Sequence, residues 1–393
     1  MALHLGVASA TWLSSLIALP MARAGLLPWA PALAEDGRRL GAELATADGG
    51  ALVAALADAA AARFAAFTAG IEAYRAHPYR RRAQRRPVAW RSGTTRLIDH
   101  GAGGGVPVVL VPSLVNRAYV LDLAPGRSLA AYLAGRGLRP LVLDWGAPGA
   151  AERRFGLDDY VLRRLEPALA HAAAAAGRPV AMVGYCMGGL LALAAALRRP
   201  ELVAALALLA VPWDFHADGH AWAQLLPALE PAFAGWIEAQ GTFPVEALQT
   251  CFAAIQPTQI LDKFRAFAAL DPDSAEAVEF VQVEDWLNDG VALAGPVARE
   301  CLFGWYGRNR PARGTWAIGG RPVRPERLSV PSLAFLPARD RIVPPGSAQA
   351  LARLLPGARL ATPRSGHIGM VVGRHAESDC WRPLADWLGQ AAI

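Results

Sequence analysis

The chain is expected to fold as an α/β protein, with a mainly parallel central sheet, helices on both faces and a helical insertion. Three observations carry this. Short apolar runs closed by turns alternate with helix-length stretches from Val106 onward. The runs are apolar at nearly every position rather than every second one, as in strands covered on both faces. The alternation stops near Asp214 and resumes at Val330. In order, the expected strands are Val106 to Val111, Pro140 to Asp144, Pro179 to Gly184, Val203 to Ala210 and Val330 to Leu336, with a short one at Ala358 to Ala361. Helices are expected around Ser128 to Arg136, Leu157 to Ala175, Met187 to Leu197 and Ser347 to Leu355, which makes βαβ units. Before them, Ala51 to Tyr74 is Ala-rich with apolar positions at helical spacing and ends near His77-Pro78. The organisation predicted is a helical region over 1–90, a core of 91–213 with 326–393, and a lid or cap over 214–325.

With 393 residues the chain is long enough to bury roughly three quarters of its unfolded surface. At 54% hydrophobic and 18% charged it is neither disordered nor a coiled coil. The net charge of +6 is almost all arginine, Lys263 being the single lysine, and no nucleic-acid motif accompanies it, so no nucleic-acid partner is expected. The cluster Arg80-Arg81-Arg82-Ala83-Gln84-Arg85-Arg86 reads mainly as a solvated linker. Cys186, Cys251, Cys301 and Cys380 lie far apart without a CxxC pair, against a zinc site or a disulfide framework. The apolar stretch Ala2 to Leu19 lacks a basic residue before Arg23, so it is not read as a signal peptide, and no other run has the length and purity of a membrane span. A cytoplasmic protein is expected.

The chemistry concentrates at Gly184-Tyr185-Cys186-Met187-Gly188-Gly189, directly after a buried strand and directly before an Ala/Leu helix. That is the setting of a nucleophile elbow and makes the predicted fold an α/β-hydrolase fold. Cys186 would stand at a helix N-terminus, where the dipole favours negative charge on sulfur and the Met187 N–H can donate to an oxyanion. Gly184 and Gly188 would be small because a Cβ there collides with the adjoining strand and helix. The acid and then the histidine follow later in such a chain. Asp340 lies in the loop after the Val330 strand, and His367 lies 27 positions on (367 − 340) in Ser365-Gly366-His367-Ile368-Gly369. The second oxyanion amide is expected from the Val111-Pro112-Ser113-Leu114-Val115-Asn116-Arg117 loop, at Leu114 or Val115. His100, His171, His216, His220 and His375 lack a comparable setting.

These residues carry a resemblance. Over roughly Val106 to Gly373 the chain resembles the catalytic subunit of polyhydroxyalkanoate synthases, most closely the short class III type. The likeness rests on the loop Val111 to Arg117, on Leu143-Asp144-Trp145-Gly146-Ala147-Pro148-Gly149, on Leu157-Asp158-Asp159-Tyr160-Val161 and on the cysteine box. It extends to Pro212-Trp213-Asp214-Phe215, Ile318-Gly319-Gly320-Arg321-Pro322-Val323 and the Asp340 and His367 loops. The resemblance implies that Cys186, Asp340 and His367 form a catalytic triad that polymerises 3-hydroxyacyl-CoA, with the CoA thioester as substrate and no separate cofactor. It also implies a growing polyester chain or granule surface as partner, and a homodimer or a second synthase subunit. Trp222, Phe233, Trp236, Phe243, Phe252, Trp286 and Trp305 would either form a water-excluding lid or serve as the insertion's own core. A triad alone does not decide transfer against hydrolysis, so a cysteine depolymerase or thioesterase of the same fold is the enzyme alternative, and a noncatalytic granule-associated protein the other.

Overall fold

In the computed structural model the residues described are 2–29, 31–82, 84–101, 104–217, 221–255 and 257–391. They form two compact units: 1–80 with 249–281, and 81–248 with 282–393.

The larger unit is built on an eight-stranded sheet. Its strands are β1 (Val88–Ser92), β2 (Thr95–Asp99), β3 (Val106–Val111), β4 (Leu138–Asp144), β5 (Val180–Tyr185), β6 (Val203–Leu209), β7 (Ser332–Phe335) and β8 (Arg359–Ala361). They lie in the order β1-β2-β4-β3-β5-β6-β7-β8. Strands β3 to β8 run parallel, while β2 pairs antiparallel with both β1 and β4. The uninterrupted apolar runs follow from burial on both faces. Val109 and Val111 of β3 point into one core layer with Leu141, Met182 and Leu206, whereas Val108 and Leu110 point into the other with Val142, Val183 and Leu209. The first layer is closed by the helix Met187–Arg198, whose residues from Met187 to Ala196 are all buried.

The smaller unit is helical. It holds α1 (Ala2–Arg23), α2 (Ala34–Thr46), α3 (Gly49–Ala76) and the helix Pro257–Ala268. Asp48 caps α3 by accepting the Ala51 N–H at 2.7 Å. A Cβ at Gly70 of α3 would lie 2.0 Å from the Phe264 carbonyl oxygen, so the two helices meet there at backbone distance. Phe67, Ile71, Leu261 and Phe264 bury one another at this contact, with the Phe67 and Phe264 rings edge to face at 5.9 Å. Phe267 and Phe280 stack at 4.4 Å beside it.

Three expectations are corrected here. The expected 214–325 insertion is divided: its middle, 249–281, folds with residues 1–80, because the apolar face of Pro257–Ala268 has its complement in Phe67 and Ile71 of α3. The N-terminal unit also ends at 80 rather than 90, since Val88 already opens a sheet strand. In addition, α3 is long and apolar enough by length and composition to cross a membrane, contrary to the expectation that no run is. Its hydropathy comes from alanine, and Phe67, Gly70 and Ile71 are its buried residues.

Candidate active site

β5 ends at Tyr185, and the next residue, Cys186, has φ 55° and ψ −130°, a conformation an L-residue holds only when its surroundings impose it. Its N–H donates to the Leu209 carbonyl of β6 at 2.9 Å, and its own carbonyl accepts the Gly189 N–H at 2.9 Å. The two glycines behave as their spacing predicted. A Cβ on Gly184 would lie 2.4 Å from Gly189 Cα, and one on Gly188 would lie 2.3 Å from the carbonyl oxygens of Val111 and Pro112. Backbone atoms cannot yield that much. Gly188→Ala is therefore expected to cost about 1–3 kcal/mol of stability, read as a lowered denaturation midpoint at unchanged slope.

Asp340 and His367 are both buried, and they meet: His367 Nδ1–H donates to Asp340 Oδ2 at 2.7 Å. The other carboxylate oxygen, Oδ1, accepts the Ile342 and Val343 N–H groups at 2.9 and 2.8 Å. The Cys186 side chain acts on the same imidazole, close enough to influence its protonation. Burial opposes charge on this imidazole. It is outweighed by the negative charge of Cys186, the hydrogen bonds to Asp340 and Cys186 and the Asp340 charge, which together raise His367 to about 10. Burial pushes the Cys251, Cys301 and Cys380 thiols up instead, which disfavours their thiolates.

The oxyanion candidates separate. Met187 opens the helix after Cys186, so its N–H has no partner within that helix. The Val115 N–H donates to Ser113 Oγ at 3.2 Å, so of the two loop candidates it is the Leu114 N–H that donates to no group among the described residues. The loop is held from two sides. Trp145 Nε1–H donates to the Pro112 carbonyl at 3.0 Å, while the Val291 N–H and Trp286 Nε1–H donate to the Val115 and Arg117 carbonyls at 3.0 and 2.9 Å.

The other predicted features lie apart. His100 is buried beside Asp122, and burial holds it below its ordinary value. His216 reaches the Tyr306 carbonyl, and His375 lies against Arg374. His220 falls outside the described residues. Phe243, Trp286 and Trp305 are buried in the sheet unit, Phe233 and Trp236 pack on Phe243, and Phe252 is exposed; the Trp222 side chain is not among those described. Arg81 lies over the Tyr119 ring at 4.0 Å and donates to the Leu123 and Asp122 carbonyls, so it is a packing residue rather than a solvated one. Sequence reasoning missed Tyr185, whose hydroxyl donates to the His367 carbonyl at 3.2 Å and whose ring lies against the imidazole. Its place inside the cysteine box was the available signal.

A parallel sheet with a strained cysteine between strand and helix, facing a buried histidine and carboxylate, defines a protein of α/β-hydrolase fold with a thiol at its elbow. A family profile described as alpha/beta hydrolase fold matches residues 106–242. The chain is 31% identical over 298 residues to a Synechocystis protein named poly(3-hydroxyalkanoate) polymerase subunit PhaC, covering 72% of this chain and 78% of that one. It is 29% identical to the Haloferax mediterranei protein of the same name, over 72% of this chain and 59% of that one. To the Allochromatium vinosum PhaC subunit it is 28% identical, over 72% and 81%. The chain belongs to the poly(3-hydroxyalkanoate) polymerase subunit PhaC family.

Proposed function

We propose that this chain is a polyhydroxyalkanoate synthase, an acyltransferase that polymerises 3-hydroxyacyl-CoA through a thioester on Cys186. The observation that carries the reading is a cysteine, in a chain of this family, held in a strained strand-to-helix turn, together with the buried His367–Asp340 hydrogen bond. In the first half-reaction Cys186 reacts as the thiolate whose proton His367 Nε2 already holds, and the sulfur attacks the acyl carbonyl. The oxyanion forms against the Met187 and Leu114 N–H groups, and the carbon–sulfur bond to CoA breaks as CoA leaves with the proton. One thioester replaces another, so the acyl group stays activated.

The second half-reaction needs a base, and acylation supplies it. The negative sulfur is the foremost influence holding the imidazole charged. Once the sulfur carries an acyl group that charge is gone while burial still disfavours imidazolium, so His367 holds its proton less firmly and can serve as an acceptor. It then takes the proton of a 3-hydroxyl, whose oxygen attacks the thioester carbon; the ester closes as the carbon–sulfur bond to Cys186 breaks, and the departing sulfur with the proton on His367 restores the starting pair.

Purified protein incubated with 3-hydroxybutyryl-CoA should release free CoA and form polymer together. CoA accompanied by the free acid marks a hydrolase, and neither product marks the noncatalytic reading. We place the enzyme in the cytoplasm at the polymer granule, in assembly with a second protomer or subunit. Exposed side chains such as Ile17 and Leu26, 70% and 68% accessible, supply apolar surface for that contact. Deleting residues 1–34 should leave a soluble chain that assembles or binds granules more weakly, measured by light scattering and granule pull-down.

A further inference from the structure

The aromatic ring of Tyr185 is placed where its electrons can act on the imidazole. Its centroid lies 5.1 Å from that of His367, with the planes inclined by 32°. That is within the range over which an aromatic face attracts a cation, and the attraction is strongest where water is excluded. Both side chains are buried, at 3% and 7% exposure. The phenol hydroxyl is occupied elsewhere: it donates to the His367 main-chain carbonyl at 3.2 Å, which tethers the histidine loop to β5. The charged or titratable groups facing His367 are Cys186 from the elbow and Asp340 from the loop after β7; those facing Tyr185 are Cys186, Asp340 and Cys380. Two of the groups around the imidazole are anionic in the reactive state, and the ring is the further element that favours its cation.

We infer that Tyr185 is a positioning residue with two separable parts, a ring that stabilises the His367 imidazolium and a hydroxyl that anchors the His367 backbone. This rests on the acyltransferase reading only for its consequence, because the protonation of His367 is measured on the free enzyme, without substrate. A mutation that merely loosened packing would not distinguish ring electrons from ring shape.

The test replaces Tyr185 with Phe and with pentafluorophenylalanine, two side chains of nearly the same shape and opposite face potential, and follows the His367 imidazole by nitrogen-labelled NMR across pH 6–11. Tyr185→Phe should titrate close to the wild type, and the pentafluorinated variant should titrate about one pH unit lower. Loss of the hydroxyl should show separately, as faster amide exchange around His367 in both variants. Equal titration of the Phe and pentafluorinated proteins overturns the role of the ring, and unchanged exchange overturns the role of the hydroxyl. If the titrations differ as expected while 3-hydroxybutyryl-CoA yields no CoA, the inference stands and the acyltransferase reading falls.

Discussion

Cys186→Ala is expected to lose CoA release from 3-hydroxyacyl-CoA by a factor on the order of 10⁴ or more while keeping its fold, because the covalent route vanishes and nothing nearby replaces it. The other cysteines do not substitute. Cys301 and Cys380 are buried with thiols pushed up by their surroundings, and Cys251 is pushed the same way. Stability should barely move, since alanine inherits the same strained φ of 55°. Cys186→Gly offers a sharper form of the test. Glycine adopts that conformation freely, so the variant should be inactive yet at least as stable as the wild type, the signature of strain kept for function. Stoichiometric alkylation, located by mass spectrometry, should fall on Cys186 and disappear in either variant. A Cys186→Ala protein within about tenfold of wild-type turnover, a barrier change of only ~1.4 kcal/mol, would remove the covalent mechanism.

Much of this site was legible because the chemistry is local. The cysteine box sits where strand pattern meets helix pattern, and the crowding that requires Gly184 and Gly188 is a property of the turn itself. Asp340 and His367 were found through chain order, although their 2.7 Å contact joins two separate loops. What sets the Leu114 and Val115 amides apart is a side chain, Ser113, that folds back on its own loop. The hairpin of β1 and β2 was missed because it lies at the sheet edge, where the exposed Arg91 and half-buried Arg96 dilute the strand pattern. The division of the insertion was also hidden. An amphipathic helix such as Pro257–Ala268 announces an apolar face, but which partner buries that face depends on residues nearly two hundred positions away, in α3.

Asp340→Asn should lower turnover on the order of 10³–10⁴-fold, and the hydrogen bonds around the carboxylate say how. Oδ1 accepts two main-chain N–H groups, from Ile342 and Val343, so an asparagine must turn its oxygen toward them or set donor against donor. Its NH₂ then faces His367 Nδ1, which has to become an acceptor. The imidazole proton moves to Nε2, the nitrogen that serves Cys186, and that nitrogen can no longer receive a proton. The two half-reactions should suffer unequally. A thiol can lose its proton to solvent as pH rises, so acylation should recover partly in alkaline buffer. An aliphatic hydroxyl does not ionise in that range, so chain growth should not. Rapid-quench analysis at pH 9 should accordingly trap acyl-enzyme on Cys186 with little polymer. The wild type differs in sign: its imidazolium is present below pH 10 and is lost as pH rises through about 10, so its acylation should decline there for want of the proton that accompanies CoA. Equal loss of acylation and elongation at every pH would reduce Asp340 to a residue that merely holds His367 in place.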